Sequence, residues 1–132
     1  ILSIEKDKIN FELLKNNLDL LNIKNVKIEN NDFVSILDNL NLVKNDYSLL
    51  YIDPPWGGPN YKNLKNIDLF IINNNDEKIY IKDIINKNYY YFDYIILKSP
   101  ININFNNNYY LYKNIYKNID KDNKILLFIF EK

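Results

Sequence analysis

Apolar residues along this chain recur in two alternating patterns, one typical of buried strands and one typical of amphipathic helices. Residues 1–4 form a short apolar run of strand length, and residues 26–29 alternate apolar and polar side chains. Between them, residues 7–22 carry Ile or Leu at intervals of three and four positions, which predicts a helix with one apolar face. A strand, a helix and a strand in this order indicate the start of an α/β fold.

The same alternation continues to the end of the chain. Helical spacing predicts further helices over residues 33–42, 78–87 and 109–119. Apolar runs predict strands over residues 47–52, 89–97 and 125–130, with a further short apolar run at 69–72. The Asn-rich segment 102–108 is expected to be a loop. With no internal repeat and no linker, residues 1–132 are interpreted as one α/β domain with a mostly parallel sheet and helices on both faces.

One segment, residues 51–61, departs from both patterns. The preceding apolar run stops at Asp53, and the two prolines that follow can neither donate to a sheet nor enter a helix interior. The only tryptophan, Trp56, is followed directly by the only two glycines, Gly57 and Gly58. Such a rigid turn holds its side chains in fixed positions and can present an indole face to a flat ligand. The alternative is a Pro- and Gly-rich loop in which the tryptophan only packs against its neighbours.

This segment resembles a known catalytic motif. Asp-Pro-Pro-Trp, residues 53–56, is similar to the tetrapeptide of S-adenosylmethionine-dependent methyltransferases that act on exocyclic amino groups of bases. The longer match through Pro59 and Tyr61 resembles the trimethylguanosine synthases, which are RNA cap guanine-N2 methyltransferases. The resemblance implies a Rossmann-like methyltransferase fold, S-adenosyl-L-methionine as the cofactor, and capped RNA with its 7-methylguanosine as the partner.

The resemblance also implies roles for individual residues of the motif. It assigns catalysis to Asp53, Pro54 and Trp56, since a carboxylate and a backbone carbonyl can hold the hydrogens of an amino group beneath a stacking ring. It assigns substrate binding to an overlapping set, namely Trp56, Gly57, Gly58, Pro59 and Tyr61. Because 7-methylguanine is cationic, a cation–π contact with Trp56 would add about 0.5 to 2 kcal/mol to plain stacking. Asp53 is expected to contact the cofactor as well.

The residue that ends the first predicted strand is a candidate for ribose binding. In doubly wound α/β folds the ligand lies at the carboxyl ends of the strands, where an acidic residue accepts from a ribose hydroxyl pair. Glu5 stands at this place, and together with Asp7 it matches the acidic pair of the family. The alternative is that these acidic residues only stabilise the next helix, because negative charge near a helix N-terminus interacts favourably with the helix dipole.

The residues that follow the second predicted strand are candidates for adenine binding. Asp32 and Phe33 resemble the family's Gly-Asp-Phe, although Asn31 stands where the family has glycine. The resemblance implies that Asp32 accepts from the adenine amino group and that Phe33 lies against the adenine ring. Asp32 is also placed to be the N-cap of the following helix, a role that is compatible with cofactor binding.

Composition narrows the chemistry further. Acidic and basic residues are equal in number, so any contact with RNA must be local. Cysteine and histidine are both absent, which excludes disulfides, zinc sites built on thiolate or imidazole, and triads that need histidine; no metal site is expected. No apolar run is long enough to span a membrane, and no signal peptide is evident. The protein is therefore expected to be soluble and intracellular, in the nucleus or the cytoplasm, including a viral factory.

One feature of the family is missing from the chain. The family binds the methionine part of the cofactor on a Gly-rich loop after its first strand, whereas both glycines of this chain lie in the segment 51–61. The resemblance therefore predicts a partial domain that lacks the first strand, either a fragment of a longer protein or a reduced relative. Two other functions stay open: an N6-adenine methyltransferase of RNA or DNA, which shares only Asp-Pro-Pro-Trp, and a non-catalytic cap-binding module.

Overall fold

The computed structural model divides the chain into two compact units. The described residues are 1–39, 48–105, 112–120, 122 and 124–132. The first unit comprises Ile1–Asn41 and Asn73–Glu77, and the second comprises Leu42–Ile72 and Lys78–Lys132. Each unit contains its own hydrogen-bonded strands.

The first unit is a strand–helix–strand arrangement followed by a short helix. Its elements in chain order are β1 (Leu2–Glu5), α1 (Lys8–Leu20), β2 (Lys27–Asn30) and α2 (Phe33–Asn39). β1 and β2 pair in parallel, from Leu2 opposite Lys27 to Glu5 opposite Asn30, as two strands joined by a helix allow. The predicted elements of this region are confirmed, while the predicted residues 40–42 of the second helix lie outside the described residues.

Helix α1 has well-defined ends but little buried surface. Oδ1 of Asp7 accepts the backbone N–H of Asn10 at 2.8 Å and so caps the first turn. The helix ends before Asn22, whose φ of 52° lies in the left-handed region that asparagine tolerates. None of the 13 residues of α1 is buried, and Ile9 and Leu13 of the predicted apolar face are exposed. Neither α1 nor any other helix among the described residues has the length and apolarity needed to cross a membrane.

The second unit contains a four-stranded sheet, a small hairpin and two short helical segments. Its elements in chain order are β3 (Leu49–Ile52), a 3-10 helix (Pro59–Asn63), β4 (Phe70–Ile72), β5 (Lys78–Tyr80), α3 (Ile81–Lys87), β6 (Tyr94–Pro100), β7 (Asn114–Ile119) and β8 (Ile125–Glu131). β4 and β5 pair with each other as an antiparallel ladder. The larger sheet has the strand order β3-β6-β8-β7.

This larger sheet is mixed, so the expectation of a mostly parallel sheet does not describe it. β3 and β6 are parallel, whereas β8 is antiparallel to both of its neighbours, β6 and β7. The physical reason lies in the short connection of residues 120–124, since strands joined by so few residues form an antiparallel pair. β3, β6 and β7 consequently point in one direction and β8 points in the other. The fold class remains α/β.

The core of the second unit follows from the side-chain alternation of β6 and β8. Their buried positions lie opposite one another, and the pairs are Ile95 with Phe130, Leu97 with Phe128 and Ser99 with Leu126. Phe105 stacks on Phe128 with ring centroids 4.2 Å apart. The buried Ser99 hydroxyl donates to the Leu126 carbonyl at 3.3 Å, so its burial leaves no unpaired donor. Residues between these positions point to the opposite face, and Lys98 is one of them.

Three elements predicted in the second unit differ from the structure, one in type and two in their boundaries. The helix predicted over 109–119 is wrong for its described part, because residues 114–119 form β7; residues 109–111 lie outside the described residues. Pairing of β7 with β8 along its whole length overrides the helical spacing, and isoleucine and tyrosine suit a strand. The helix predicted from residue 78 begins only at Ile81, after β5, and the strand predicted over 89–97 is shifted to Tyr94–Pro100.

The assignment of buried residues predicts that the same leucine-to-alanine substitution lowers the free energy of unfolding by different amounts in two neighbouring strands. Leu97→Ala in β6 removes a side chain that is 0% exposed, and we expect it to lower the free energy of unfolding by about 2 to 5 kcal/mol. Leu49→Ala in β3 changes a side chain that is 46% exposed, and its expected cost is below about 1 kcal/mol. Chemical denaturation of both variants checks this, and equal losses would show that the buried face is misassigned.

Candidate active site

The register of two parallel strands places Asp53 next to Lys98. Ile52, the last residue of β3, lies opposite Leu97 of β6, so the residues that follow each of them are neighbours at the carboxyl end of β3. Lys98 Nζ donates to Asp53 Oδ2 at 2.7 Å. The two side chains are 30% and 41% exposed, so this ion pair lies at the surface of the unit rather than in its core.

The hydrogen bond to Asp53 favours the charged form of Lys98. It raises the pKa of the Lys98 ammonium above the usual value of 10.5, although partial burial acts in the opposite direction. A lysine with a raised pKa carries its proton at neutral pH. The pair is therefore a stable charge-assisted contact, which is stronger than a hydrogen bond between neutral groups.

The chain after Asp53 turns sharply because of its glycines. Gly57 has a φ of 88°, and Gly58 has a φ of 73° with a ψ of −169°, a region that is essentially restricted to glycine. A Cβ atom at either position would meet nothing within 4 Å, so backbone conformation rather than lack of space requires these glycines. The 3-10 helix then starts at Pro59, and the Tyr61 N–H donates to the Gly58 carbonyl at 3.2 Å.

The turn brings two aromatic rings and an ammonium together. Trp56 and Tyr61 meet edge to face, with ring centroids 5.3 Å apart and an interplanar angle of 83°. Lys98 Nζ lies 5.6 Å from the Trp56 ring centroid, within the range of a cation–π contact. The indole N–H of Trp56 is buried and has no acceptor among the described residues, while the residue as a whole is half-buried.

These side chains line an open cavity of about 340 Å³, a volume in the range of small-molecule sites. The lining residues are Asp53, Pro54, Trp56, Gly58, Tyr61 and Lys98. All of them belong to the second unit. The structure thus brings together most of the predicted catalytic and substrate-binding residues, while Gly57 and Pro59 shape the turn without lining the cavity.

Lys98 is a lining residue that the sequence interpretation missed. Lys98 directly follows the strand predicted over residues 89–97. The chain is so rich in lysine that a single lysine carries little information. A usable signal existed in the two parallel strands, because aligning their carboxyl ends puts the residue after Leu97 beside the residue after Ile52.

The predicted ribose-binding residue Glu5 lies in the first unit, at the carboxyl end of β1. Its Oε1 accepts the backbone N–H of Asp7 at 2.8 Å, and its own register partner is Asn30. The Asn30 side chain donates to the Glu5 and Lys6 carbonyls at 2.8 and 3.1 Å, which fixes the turn after β1. The carboxylate is half-exposed and keeps a second oxygen for a hydroxyl pair, so it fits the ribose of a nucleoside cofactor.

The predicted adenine-binding residue Asp32 is the N-cap of α2. Its Oδ1 accepts the Val34 N–H at 3.3 Å, and its Oδ2 accepts from the Ser35 hydroxyl at 3.1 Å and the Asn74 N–H at 3.2 Å. The residue is only 3% exposed, so the carboxylate is committed to protein donors. Phe33, directly after it, is half-buried. Asp32 therefore fits an adenine amino group only if one of these bonds opens.

Acidic residues in the described part of the chain do not gather into a metal site. No group of three or more Asp or Glu side chains is close enough there to hold an ion, and the sequence contains neither histidine nor cysteine.

Comparison with known proteins relates the chain to one family. A family model for RNA cap guanine-N2 methyltransferases matches residues 1–129. Uncharacterized protein L320 of Acanthamoeba polyphaga mimivirus is 33% identical over 105 residues, which are 78% of this chain and 38% of that protein. The trimethylguanosine synthase of Schizosaccharomyces pombe is 33% identical over 63 residues, which are 46% of this chain and 26% of that protein. No solved structure matches the chain.

The comparisons confirm the resemblance that residues 53–61 carry. The family match extends over nearly the whole chain, and it suggests a Rossmann-like α/β fold. The chain spans less than half the length of either curated relative.

The conformation of Gly58 predicts a cost for adding a methyl group. Gly58→Ala is expected to lower the free energy of unfolding by about 1 to 3 kcal/mol, because its φ and ψ are unfavourable for any residue with a Cβ. The control is Asn60→Ala in the following 3-10 helix, an exposed position with an expected change within about 0.5 kcal/mol. Equal stability of the two variants by denaturation would contradict the assigned turn.

Proposed function

We propose a function for this chain, which belongs to the RNA cap guanine-N2 methyltransferase family. In this proposal, the chain carries the acceptor site for methylation of the exocyclic N2 of a 7-methylguanosine RNA cap. The methyl donor in this proposal is S-adenosyl-L-methionine. The observation that carries the proposal is the cavity at the end of β3, where the Asp53 carboxylate and the Trp56 ring line the same space. The similarity of the chain to a trimethylguanosine synthase supports the choice of substrate.

The chemistry asks the site to activate a poor nucleophile. The lone pair of an exocyclic amino group is delocalised into the base, so attack requires the nitrogen to move towards tetrahedral geometry. Asp53 and the Pro54 carbonyl are the acceptors that hold the amino hydrogens in this position and stabilise the positive charge that develops on nitrogen. N2 gains one methyl group and loses one proton, and the Asp53 carboxylate is the cavity base that can take it.

Trp56 supplies the surface on which the base is held. The ring lines the cavity and makes an edge-to-face contact with Tyr61. A cationic 7-methylguanine gains about 0.5 to 2 kcal/mol from the indole face beyond ordinary stacking, and this difference favours a methylated cap over an unmethylated one. Positioning of the amino nitrogen by stacking is itself a large part of such catalysis.

The first unit provides the candidate cofactor groups. S-adenosyl-L-methionine supplies the methyl group from its sulfonium when it is bound. Glu5 would accept from the ribose hydroxyls through its free oxygen, and Phe33 would lie against the adenine ring. Asp32 would accept from the adenine amino group in exchange for its 3.2 Å bond to the Asn74 N–H. The family resemblance also makes Asp53, in the second unit, a candidate cofactor contact.

A substrate comparison tests the proposal and its two alternatives. The full-length protein is incubated with S-adenosyl-L-methionine and either a 7-methylguanosine cap dinucleotide or an adenine-containing oligonucleotide. We expect methyl transfer to the cap dinucleotide. Transfer only to adenine would replace the proposal by an N6-adenine methyltransferase. Calorimetry that detects cap binding but no cofactor binding would replace it by a non-catalytic cap-binding module.

Removal of the Trp56 ring is expected to weaken binding of the cap and not binding of the cofactor. Trp56→Ala in the full-length protein is expected to weaken cap binding by about 1 to 3 kcal/mol, the range for base–aromatic stacking, and to leave cofactor binding nearly unchanged. Trp56→Phe is the control, since a smaller ring should keep part of the affinity. A collapse of cofactor affinity in Trp56→Ala, measured by calorimetry, would mean that the indole is structural.

Removal of the Asp53 carboxylate is expected to lower the rate of methyl transfer. Asp53→Ala is expected to lower kcat by about 100- to 1000-fold, the scale for removing one group that stabilises transition-state charge, with a smaller effect on cap affinity. Asp122→Ala is the matched control, because Asp122 also pairs with a lysine but is 72% exposed in a loop. An unchanged kcat in single-turnover kinetics would remove Asp53 from the mechanism.

A further inference from the structure

Lys98 contacts both groups on which the proposed function rests. Its Nζ donates to Asp53 Oδ2 at 2.7 Å, and the same atom lies 5.6 Å from the centroid of the Trp56 ring. The lysine therefore links the carboxylate to the stacking ring.

The strand that carries Lys98 is well suited to hold a side chain in place. β6 is an interior strand, paired with β3 on one side and with β8 on the other, and Lys98 lies opposite Leu127 in that second ladder. Its neighbours in sequence, Leu97 and Ser99, are both fully buried. The backbone of Lys98 is held by pairing with β8, one residue beyond the end of the ladder with β3.

Asp53, by contrast, has little else to orient it. It is the first residue after β3, its side chain is 41% exposed, and among the described residues its carboxylate has Lys98 as its hydrogen-bond partner. Without that bond the carboxylate could rotate among several orientations in contact with water. With Oδ2 held by Lys98, Oδ1 is the oxygen that remains for a ligand in the cavity.

We propose that Lys98 is a positioning residue of the proposed methyltransferase: it holds the Asp53 carboxylate by Oδ2, so that Oδ1 meets the acceptor amino group of a base stacked on Trp56. This inference rests on the proposed function. Lys98 does not touch the reacting atoms, and it acts through Asp53. The raised pKa of Lys98 supports the assignment, because the ammonium stays charged at the pH of the reaction.

The charge of Lys98 gives the proposal a distinctive kinetic signature. The Lys98 ammonium repels a cationic 7-methylguanine, whereas the Asp53 carboxylate attracts it. Removing the ammonium should therefore leave the KM for the cap unchanged or lower it. The misaligned carboxylate should at the same time lower kcat, since small errors in the placement of reacting groups are costly in rate.

The experiment is a double-mutant cycle in the full-length protein with a 7-methylguanosine cap dinucleotide. Lys98→Met is expected to lower kcat by about 10- to 100-fold without raising the KM for the cap. In the Asp53→Ala background the same change is expected to have almost no further effect, because there is no carboxylate left to position. Lys98→Arg, which keeps a charged donor, is expected to recover part of the lost rate.

Controls separate this inference from loss of folding and from failure of the proposed function. Lys124→Met removes a lysine from an exposed pair with Asp122 at 3.6 Å and should leave kcat unchanged. Lys98→Gln, measured with Lys98→Met by circular dichroism, serves if the methionine variant does not fold. Independent effects of the Asp53 and Lys98 substitutions, or a rise in KM alone, would overturn the positioning role. Absence of cap methylation by the unmodified protein would instead overturn the proposed function.

Discussion

The parallel pairing of β3 with β6 is the constraint on which the candidate site depends. It sets Ile52 opposite Leu97, and the buried side chains on one face of β6 fix that register, because a shift by one residue would turn them to the solvent. The same register leaves Lys98 on the opposite face, beside the residue that follows β3. An ion pair at a strand end is thus a consequence of how the core is packed.

The turn after β3 adds the second half of the site. Two glycines in conformations that other residues rarely adopt reverse the chain within a few residues and bring Tyr61 against Trp56. Proline and glycine therefore act together: the prolines end the strand at the carboxylate, and the glycines allow the turn that brings Tyr61 into contact with the indole. Pairing fixes the charged side of the cavity, and the turn fixes its aromatic side.

The sequence predicted the motif more reliably than it predicted the sheet around it. Residues 53–61 are recognisable because their composition is unlike the rest of the chain, and the first unit follows a clear strand–helix–strand pattern. β7 was mistaken for part of a helix, since residues 109–119 carry apolar side chains at helical spacing and pairing with β8 determines the conformation of residues 114–119. Lys98 was missed because its meaning comes from a neighbouring strand distant in sequence.

The central claim is that a cationic nucleobase stacks on Trp56, and tryptophan fluorescence tests it most directly because the chain has one tryptophan. Titration with a 7-methylguanosine cap analogue should quench the emission saturably, and an unmethylated guanosine analogue should bind about 2- to 30-fold more weakly, which is the cation–π difference expressed as affinity. Emission that neither analogue changes, at concentrations where calorimetry detects cap binding, would contradict the claim.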